Sequence, residues 1–367
     1  MNMHNPALPT SDTRLKVIDC DIHPNLANPR ALDPYLSANW REHYQTYGSF
    51  LREPFLGSST FPKATPALAR LDAWPSNGGL PGSDLEFMRS QHLDPLGIEF
   101  GILQLLGPNG QDQRNTAFGV ALAQAANEWQ VAEWTDREPR LKASIMVACE
   151  DPASAAAEIR RRAAQKDFVQ VLMTSRTREL LGQRKYWPIY EAVSEAGIPL
   201  AIHVGGVSGF PSTGGGWQSF YFEDHFNHSV GMQALLASFV FEGVFETFPD
   251  LKVVSVEAGF GWAPAFKWRL DKHWQRMRSE VPHVRKPPSE YISKQVWFTT
   301  QPVEEPEQRR HLLDVFEWVG FDRLLFSTDY PHWDFDDPRF AFKAPMSDEE
   351  KRMVYSENAR QLFRLPQ

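Results

Sequence analysis

The stretch LKVIDCDIHPN at residues 15–25 combines the two features that decide the fold: an apolar run rich in branched residues, and acidic and imidazole side chains directly after it. Continuous rather than alternating hydrophobicity is typical of parallel strands that are buried on both faces. Seven more runs of this kind follow along the 367 residues. We predict strands at residues 15–20, 98–106, 141–148, 168–173, 198–204, 251–257, 295–300 and 323–329.

Longer amphipathic stretches separate these runs and predict helices. The helix at 185–196, for example, ends at Gly197, a residue type that commonly terminates helices. Alternating strands and helices indicate an α/β protein, and eight repeats indicate a (β/α)8 TIM-like barrel, with a doubly wound open sheet as the alternative. The predicted helices span residues 84–95, 115–137, 152–165, 185–196, 222–247, 262–279, 305–319 and 348–363.

The chain is predicted to form one domain. At about 150 residues per domain its length allows two, but a large barrel occupies this length alone. We predict a flexible N-terminal arm at residues 1–14 and a single barrel domain at residues 15–367. Residues 24–83, rich in Pro and Gly, separate the first strand from the first helix. We predict an inserted lid or subunit-contact segment there, with a flexible surface insertion as the alternative.

Composition and charge disfavour several classes of protein. The 38 Lys and Arg against 46 Asp and Glu give a net charge of −8, which disfavours nucleic-acid binding through bulk charge. No apolar run approaches the ~18 residues needed to cross a bilayer, and the N-terminus has no apolar segment of a secretory signal. Cys20 and Cys149 both lie in apolar runs. Two such cysteines build no disulfide framework and predict a reducing, cytoplasmic location.

Side chains of metal-ligand type follow four of the predicted strands. In a barrel these positions lie on one rim, the C-terminal rim that carries the chemistry of such enzymes. Each residue alone has an ordinary explanation, such as a cap or an ion pair. Several buried carboxylates on one rim, however, need a cation or paired charges. We therefore predict a divalent metal site whose candidate ligands are Asp21, His23, His203, Glu257, Asp329 and His332.

The sequence between the fifth and sixth strands adds further candidates. His225 and His228 lie three residues apart at the start of the helix 222–247, so they share a face. We predict His225 to be a second-ion ligand or a proton shuttle, with a helix-start hydrogen bond as the alternative. The glycine-rich loop 205–217 lacks the motifs of phosphate loops, so we predict a flap over the site and no nucleotide cofactor. Aromatic residues that predict a compact, partly apolar substrate pocket, or alternatively core packing, are Trp217, Tyr221, Trp262, Tyr330 and Trp333.

The segments IDCDIHPN, AIHVGG, EAGFGWAPAFKWRLD and LLFSTDYPHWD resemble the amidohydrolase-related metal enzymes, in the branch that includes aminocarboxymuconate semialdehyde decarboxylase. The resemblance spans roughly residues 15–363 and implies a barrel with a small carboxylic acid as substrate. His203 and Asp329 match ligands of the family, and Asp21 stands at the first position of its usual H-x-H motif. The family's catalytic histidine after the sixth strand is replaced here by Glu257, so its usual acid/base assignment does not transfer.

The two carboxylate replacements change the metal chemistry. Two neutral imidazoles and three carboxylates suit Mn²⁺ or Fe²⁺ at least as well as Zn²⁺. Three carboxylates also exceed what one divalent ion neutralises, so one or two ions are expected, with His225 or His332 available to a second.

Three functions remain open from the sequence. The first is a metal-dependent hydrolase, with Asp329 or Glu257 as base, or a decarboxylase in which Glu257 or His225 protonates the carbon. The second is a dinuclear iron or manganese O₂-dependent hydroxylase, because the acidic first-strand residue and Glu257 are similar to the α-aminoisobutyrate and diterpenoid hydroxylases of this superfamily. The third is a structural-metal partner of a catalytic homologue. We expect a small-molecule substrate, no nucleic acid or membrane, and a homo-oligomer or a hetero-oligomer with a homologous subunit.

Overall fold

The computed structural model describes residues 16–50, 65–205, 211 and 213–367, so the predicted arm at 1–14 lies outside the described residues. Its eight strands are all parallel and pair in sequence order, which confirms the (β/α)8 barrel. Every predicted strand is present, most of them shorter than its apolar run. The strands are β1 (Val17–Ile22), β2 (Ile98–Leu103), β3 (Leu141–Met146), β4 (Phe168–Thr174), β5 (Leu200–His203), β6 (Val253–Val256), β7 (Val296–Thr299) and β8 (Leu324–Leu325).

Backbone hydrogen bonds close the barrel between its last and first strands. The amide of Cys20 donates to the carbonyl of Phe326 at 2.9 Å, and the amide of His23 donates to that of Tyr330 at 2.7 Å. The open-sheet alternative is therefore wrong. Closure also brings the end of β1 beside the loop that follows β8, where four of the predicted site residues lie.

Helices surround the barrel, and two of them were not predicted. The first, Ala38–Tyr47, lies within the insertion and is polar in sequence. The second, Pro288–Gln295, begins at consecutive prolines that suggest a loop, although proline is favoured in the first turn of a helix. The helices are α1 (Ala38–Tyr47), α2 (Leu85–Met88), α3 (Asp94–Leu96), α4 (Thr116–Gln130), α5 (Pro152–Arg162), α6 (Trp187–Ala196), α7 (Tyr221–Phe241), α8 (Val244–Thr247), α9 (Ala263–Met277), α10 (Pro288–Gln295), α11 (Arg309–Val319), α12 (Asp348–Arg352) and α13 (Asn358–Phe363).

Part of the inserted segment 24–83 packs against the loop after β8. The amide of Trp333 donates to the carbonyl of Leu68 at 2.8 Å, and the amide of Arg70 donates to that of Pro331 at 3.0 Å. Residues 51–64 of the insertion lie outside the described residues. The contacts place residues 68–70 beside the candidate site, while the role of the segment as a lid or subunit contact stays a prediction.

The strands are buried on both faces, as their continuous hydrophobicity predicted. All residues of β1 and β4 are buried, and the inner face of α7 packs Leu235 and Phe239 into the core. Cys20 and Cys149 are both buried, as their positions in apolar runs indicate. Within the described ranges, every helix is too short or too polar to cross a bilayer.

Candidate metal centre

The predicted ligands converge at the C-terminal rim of the barrel. Ligand atoms of Asp21, His23, His203 and Glu257 all lie within 4.8 Å of one another. A second, overlapping group joins His23 and Glu257 with residues of the β8 loop at the same spacing. That loop contributes Asp329 and His332.

Strand β1 and the residue directly after it place Asp19, Asp21 and His23 on one face, because successive residues of an extended chain alternate in direction. Asp21 and His23 enter the cluster, while Asp19, two residues earlier, anchors the strand. The carboxylate of Asp19 accepts hydrogen bonds from the amide of Thr328 at 2.9 Å and from its hydroxyl at 2.6 Å, and it lies 2.8 Å from Nε2 of His92. Asp19 thus joins the end of β1 to the β8 loop. Sequence analysis missed Asp19, although the D-x-D-x-H alternation signals it.

Carbonyl groups fix the orientation of the two central histidines. Nδ1 of His23 donates to the carbonyl of Gln104 at 2.9 Å, and Nδ1 of His203 donates to the carbonyl of Val204 at 2.7 Å. A carbonyl only accepts hydrogen bonds, so Nδ1 carries the hydrogen in both rings. Each Nε2 then has a free lone pair, as is typical of metal-ligating histidines.

The two Nε2 atoms point into the carboxylates. Nε2 of His23 lies 3.1 Å from Oδ1 of Asp21 and 2.8 Å from Oδ1 of Asp329, and Nε2 of His203 lies 3.0 Å from Oε2 of Glu257. Both Nε2 atoms and both carboxylate oxygens of Asp21 are buried without a protein hydrogen-bond partner of good geometry. Burial of a polar atom without a hydrogen-bond partner destabilises the folded protein. A divalent cation would satisfy all of them at once, so the donor set fits the predicted metal.

The backbone is strained at two cluster residues. Glu257 has a φ of 57° and Asp329 a φ of 61°, in the left-handed region that residues other than glycine rarely adopt. The amide of Glu257 donates to the Thr299 hydroxyl at 3.0 Å, which helps to hold this conformation. Such strain costs about 1–3 kcal/mol per residue and concentrates at functional sites. Both turns direct a carboxylate into the cluster.

Burial and mutual repulsion shift the pKa values of the cluster. Burial, together with the nearby carboxylates of Glu257, Asp334 and Asp21, raises the pKa of Asp329 well above its ordinary value. Burial disfavours the protonated form of His203, but the nearby carboxylates of Glu257 and Asp21 outweigh this effect and raise the pKa of the imidazole. The cluster without an ion therefore holds extra protons, which a bound cation would replace.

A third group of ligand type extends the site outward. His225, from the first turns of α7, lies with Nε2 3.1 Å from Oδ2 of Asp334, and both group with Glu257 within 4.8 Å. Nε2 of Gln301 donates to the same Asp334 oxygen at 2.9 Å and lies 3.4 Å from Oδ2 of Asp329. Sequence analysis missed Asp334 and Gln301. Asp334 carried a weak signal, as one of several acids in the loop after β8.

The two candidate histidines not yet described are His332 and His228. Nδ1 of His332 lies 2.6 Å from Oδ1 of Asp329, and its ring stacks on His23 at 4.3 Å between centroids. Burial, with the neighbouring histidines, lowers the pKa of His332 well below its ordinary value, so its ring is neutral. His228 packs edge-on against His225 at 5.3 Å, and burial lowers its pKa to about 3.

The predicted aromatic residues divide between the site and the core. The indole nitrogen of Trp333 donates to the hydroxyl of Tyr221 at 3.1 Å, and its ring lies 5.7 Å from His225, so both border the cluster. Trp217 is 64% exposed, and its place in a substrate pocket stays a prediction. Trp262 packs with aromatic residues of the outer core, which fits the core-packing alternative.

The surroundings of Tyr330 favour the core-packing alternative over a place in the substrate pocket. The side chain is fully buried, its ring stacks on His92 at 4.4 Å, and its hydroxyl donates to Gln91 at 3.0 Å. The left-handed turn at Asp329 directs that carboxylate into the cluster, and the following ring packs into the core.

Solved structures share this fold. One is 5-carboxyvanillate decarboxylase from Novosphingobium aromaticivorans, complexed with manganese and 4-hydroxy-3-methoxy-5-nitrobenzoic acid, with a TM-score of 0.72, 21% identity, and coverage of 99% of this chain and 100% of that one. Another is a dihydroxybenzoic acid decarboxylase from Polaromonas sp. JS666 with bound manganese and 2-nitroresorcinol, with a TM-score of 0.67, 21% identity, and coverage of 96% and 97%.

Relatives found by sequence similarity are also named decarboxylases. A gamma-resorcylate decarboxylase from Rhizobium sp. (strain MTP-10005) is 27% identical over 300 residues, which are 77% of this chain and 88% of that protein. The corresponding enzyme of Polaromonas sp. (strain JS666) is 25% identical over 301 residues, with the same coverage. The family model described as amidohydrolase matches residues 18–365, almost the whole chain. The chain is therefore an enzyme, and it belongs to the amidohydrolase family.

Proposed function

We propose that this protein is a divalent-metal-dependent decarboxylase of a small aromatic carboxylate. The observation that carries the proposal is the buried set of Asp21, His23, His203, Glu257 and Asp329 at the C-terminal rim, with two oriented imidazoles. The relatives named gamma-resorcylate decarboxylase support the reaction class. The solved decarboxylases of the same fold that contain manganese support that metal, with zinc or iron as alternatives.

Asp21, His23, His203 and Asp329 would hold the ion, with Glu257 beside them. A bound divalent ion supplies a positive charge that anchors and polarises the oxygens of the substrate. The carbonyls of Gln104 and Val204 keep the two imidazoles in the tautomer that this role requires.

His225 is our candidate for the proton donor, and Glu257 is the second candidate. In decarboxylation the carbon–carboxylate bond breaks, its electron pair stays on the ring carbon, and that carbon takes a proton as CO₂ leaves. Asp334 hydrogen-bonds to His225 at 3.1 Å, which raises the pKa of the imidazole despite its partial burial. A protonated imidazole at the edge of the cluster suits this transfer.

Tyr221 and Trp333 are proposed to form one wall of the substrate pocket. Their hydrogen bond holds the two rings at the edge of the cluster, 6.2 Å apart between centroids. Flat apolar side chains of this kind suit an aromatic ring, which prefers offset or edge-on contacts. A small aromatic acid therefore fits better than a flexible aliphatic one.

The other functions receive less support. Hydrolysis would use the same residues, with Asp329 or Glu257 as base, but the named relatives are decarboxylases. O₂-dependent hydroxylation and a non-catalytic partner role receive no support from these relatives. A cytoplasmic location and a hetero-oligomer stay predictions.

A direct assay tests the proposal. The protein with added Mn²⁺ is incubated with 2,6-dihydroxybenzoate and, separately, with 5-carboxyvanillate, and CO₂ release is measured. We expect release with at least one such hydroxybenzoate and, in D₂O, one deuterium at the carbon that lost the carboxylate.

The matched variants are His203→Ala, which removes a ligand, and His311→Ala, which removes an exposed histidine on α11. We expect His203→Ala to lose activity by at least about 100-fold and His311→Ala to keep it. Equal activity of the two variants, or no CO₂ release from a panel of hydroxybenzoates by the manganese-loaded protein, would overturn the proposal.

A further inference from the structure

The carboxylate of Asp19 is buried next to the metal cluster but is not placed to hold the ion. Among the described residues, the groups of ligand atoms that lie within 4.8 Å of one another do not include it. It accepts hydrogen bonds from the amides of Thr328 at 2.9 Å and Asp21 at 3.2 Å, from the hydroxyl of Thr328 at 2.6 Å, and from Nε2 of His92 at 2.8 Å. A carboxylate offers about four acceptor sites, so all of those of Asp19 are in use.

These hydrogen bonds hold the turn that presents Asp329 from both sides. Thr328 precedes Asp329, and both its amide and its hydroxyl donate to Asp19. Tyr330 follows Asp329, and its amide donates to the same Thr328 hydroxyl at 3.2 Å. Asp329 itself has a φ of 61°, a left-handed conformation that persists only where surrounding contacts over-determine it. The hydroxyl of Thr328 therefore links the carboxylate of Asp19 to the amide on the far side of the strained residue.

A π-helical turn, Arg89–Leu93, completes the contacts around Tyr330. The imidazole of His92 bonds to Asp19 and stacks on the ring of Tyr330 at 4.4 Å between centroids. Its neighbour Gln91 accepts a hydrogen bond from the hydroxyl of Tyr330 at 3.0 Å. Single π-helical turns of this kind are frequent at functional sites. The amide, the ring and the hydroxyl of Tyr330 are thus all held, so the residue after the strained turn cannot shift without breaking these contacts.

We infer that Asp19 and Thr328 are positioning residues, which set the metal affinity of the cluster by fixing the carboxylate of Asp329. The amide of Asp21 donates to the same Asp19 carboxylate, so one group determines the position of ligands from β1 and from the β8 loop. Oδ1 of Asp329 then lies 2.8 Å from Nε2 of His23, where both atoms can reach one ion. A ligand held in place before the ion arrives loses less conformational freedom when the ion binds. The inference rests on the metal site of the proposed function and does not depend on the reaction performed there.

The alternative role of Asp19 is to hold the last strand of the barrel against the first. Backbone hydrogen bonds already make that connection, from the amide of Cys20 to the carbonyl of Phe326 and from the amide of His23 to the carbonyl of Tyr330. The loss of a single side-chain hydroxyl leaves both in place. If Asp19 only stabilised the closed barrel, such a change would lower the melting temperature and leave the affinity for metal unchanged. Metal affinity therefore distinguishes the two roles.

The test compares Thr328→Val, which removes the hydroxyl and keeps the branched shape, with Thr328→Ser, which keeps the hydroxyl. Each whole protein is treated with EDTA, dialysed and titrated with Mn²⁺ in a calorimeter. We expect a dissociation constant about 10- to 100-fold higher for Thr328→Val than for the unchanged protein, since the loss of contacts that orient metal ligands typically weakens metal binding by this amount. We expect Thr328→Ser to stay within about threefold of the unchanged protein, because a serine hydroxyl can make the same two hydrogen bonds.

Asp19→Asn is the second variant, and it decides the question if Thr328→Val does not fold. Asparagine replaces one of the two acceptor oxygens by an NH₂ group, which donates and cannot accept the hydrogen bonds from Thr328 and His92. We expect Mn²⁺ to bind Asp19→Asn at least about 10-fold more weakly than the unchanged protein. Far-UV circular dichroism of each variant checks that the fold is retained.

Thr135→Val is the matched control, because Thr135 is a buried threonine in the turn after α4, outside the metal cluster. We expect it to bind Mn²⁺ like the unchanged protein. The inference is overturned, and the metal site is kept, if Thr328→Val and Asp19→Asn bind Mn²⁺ as tightly as Thr135→Val. It is equally overturned if Thr328→Ser binds as weakly as Thr328→Val. Absence of Mn²⁺ binding by the unchanged protein would overturn both the inference and the metal site.

Discussion

Replacing Asp329 by asparagine is expected to stabilise the metal-free protein while it weakens metal binding. Oxygens of Asp329 and Glu257 lie within 4.8 Å of each other in a fully buried setting. Two such charges repel by about 3 kcal/mol at an effective dielectric constant of 20. Asp329 escapes part of this cost by holding a proton, so we expect a net gain of about 2 kcal/mol, or about 4 °C in melting temperature.

Replacement by asparagine removes the charge of Asp329 and leaves the backbone conformation unchanged. The φ of Asp329 is 61°, and asparagine is among the residues that tolerate this left-handed conformation best. The gain should also depend on pH. The pKa of Asp329 in the metal-free protein lies well above 3.8, so the native state binds this proton more tightly than the unfolded chain. Wild-type stability from this group is therefore present below pH ~4 and is lost as the pH rises, so the advantage of the variant grows with pH.

The assay is thermal unfolding after EDTA treatment, at about pH 5 and about pH 8, and then with Mn²⁺. The control is Asp337→Asn, because Asp337 pairs with Arg339 at the surface at 2.9 Å and its loss should cost at most about 1 kcal/mol. A melting temperature of Asp329→Asn below that of the wild type, without metal at pH 8, would contradict the predicted repulsion. Equal stabilisation of the variant and the wild type by manganese would contradict a role of Asp329 in metal binding.

Three further predictions concern other parts of the molecule. Hydrogen bonds from Arg140 lower the pKa of the buried Glu138 to about 2. Glu138→Gln should therefore lower the free energy of unfolding by about 2 kcal/mol at pH 7. Acid-unfolding curves should show this difference shrink as the pH falls below ~4.5. Gly110 has a φ of 83° and an added Cβ would overlap the carbonyl of Gly119, so Gly110→Ala should cost about 3 kcal/mol in denaturant titrations. His225→Gln should slow CO₂ release by about 100-fold with unchanged metal content by elemental analysis, whereas loss of the metal would make His225 a ligand instead of a proton donor.

Much of the fold and of the cluster could be predicted from patterns that depend on backbone periodicity. Apolar runs predicted every strand because a parallel strand in a barrel is buried on both faces. The residues after those runs share one rim, so Asp21, His203 and Asp329 were expected to meet before any distance was known. The helix α10 was missed because the prolines at its start suggest a loop when the sequence is taken alone.

The direction of side chains within loops could not be predicted from the sequence. The loop after β8 contains three nearby acids, and only tertiary contacts separate them: Asp334 accepts from Gln301, Asp336 accepts from the amide of Val303 at 3.1 Å, and Asp337 pairs at the surface. The left-handed turn at Asp329 likewise sends Tyr330 into the core, where periodicity gives no signal. Propensity reasoning predicts neither the strained turn nor which acid points inward.

Elemental analysis of metal per chain, on the wild type and on His203→Ala purified without added metal, shows directly whether the cluster binds an ion. We expect about one or more ions of manganese, zinc or iron per chain in the wild type. We expect less than about one tenth of that amount in His203→Ala, with the fold retained. A wild type without stoichiometric metal, or a variant that retains the wild-type amount, would show that the cluster is not a metal site.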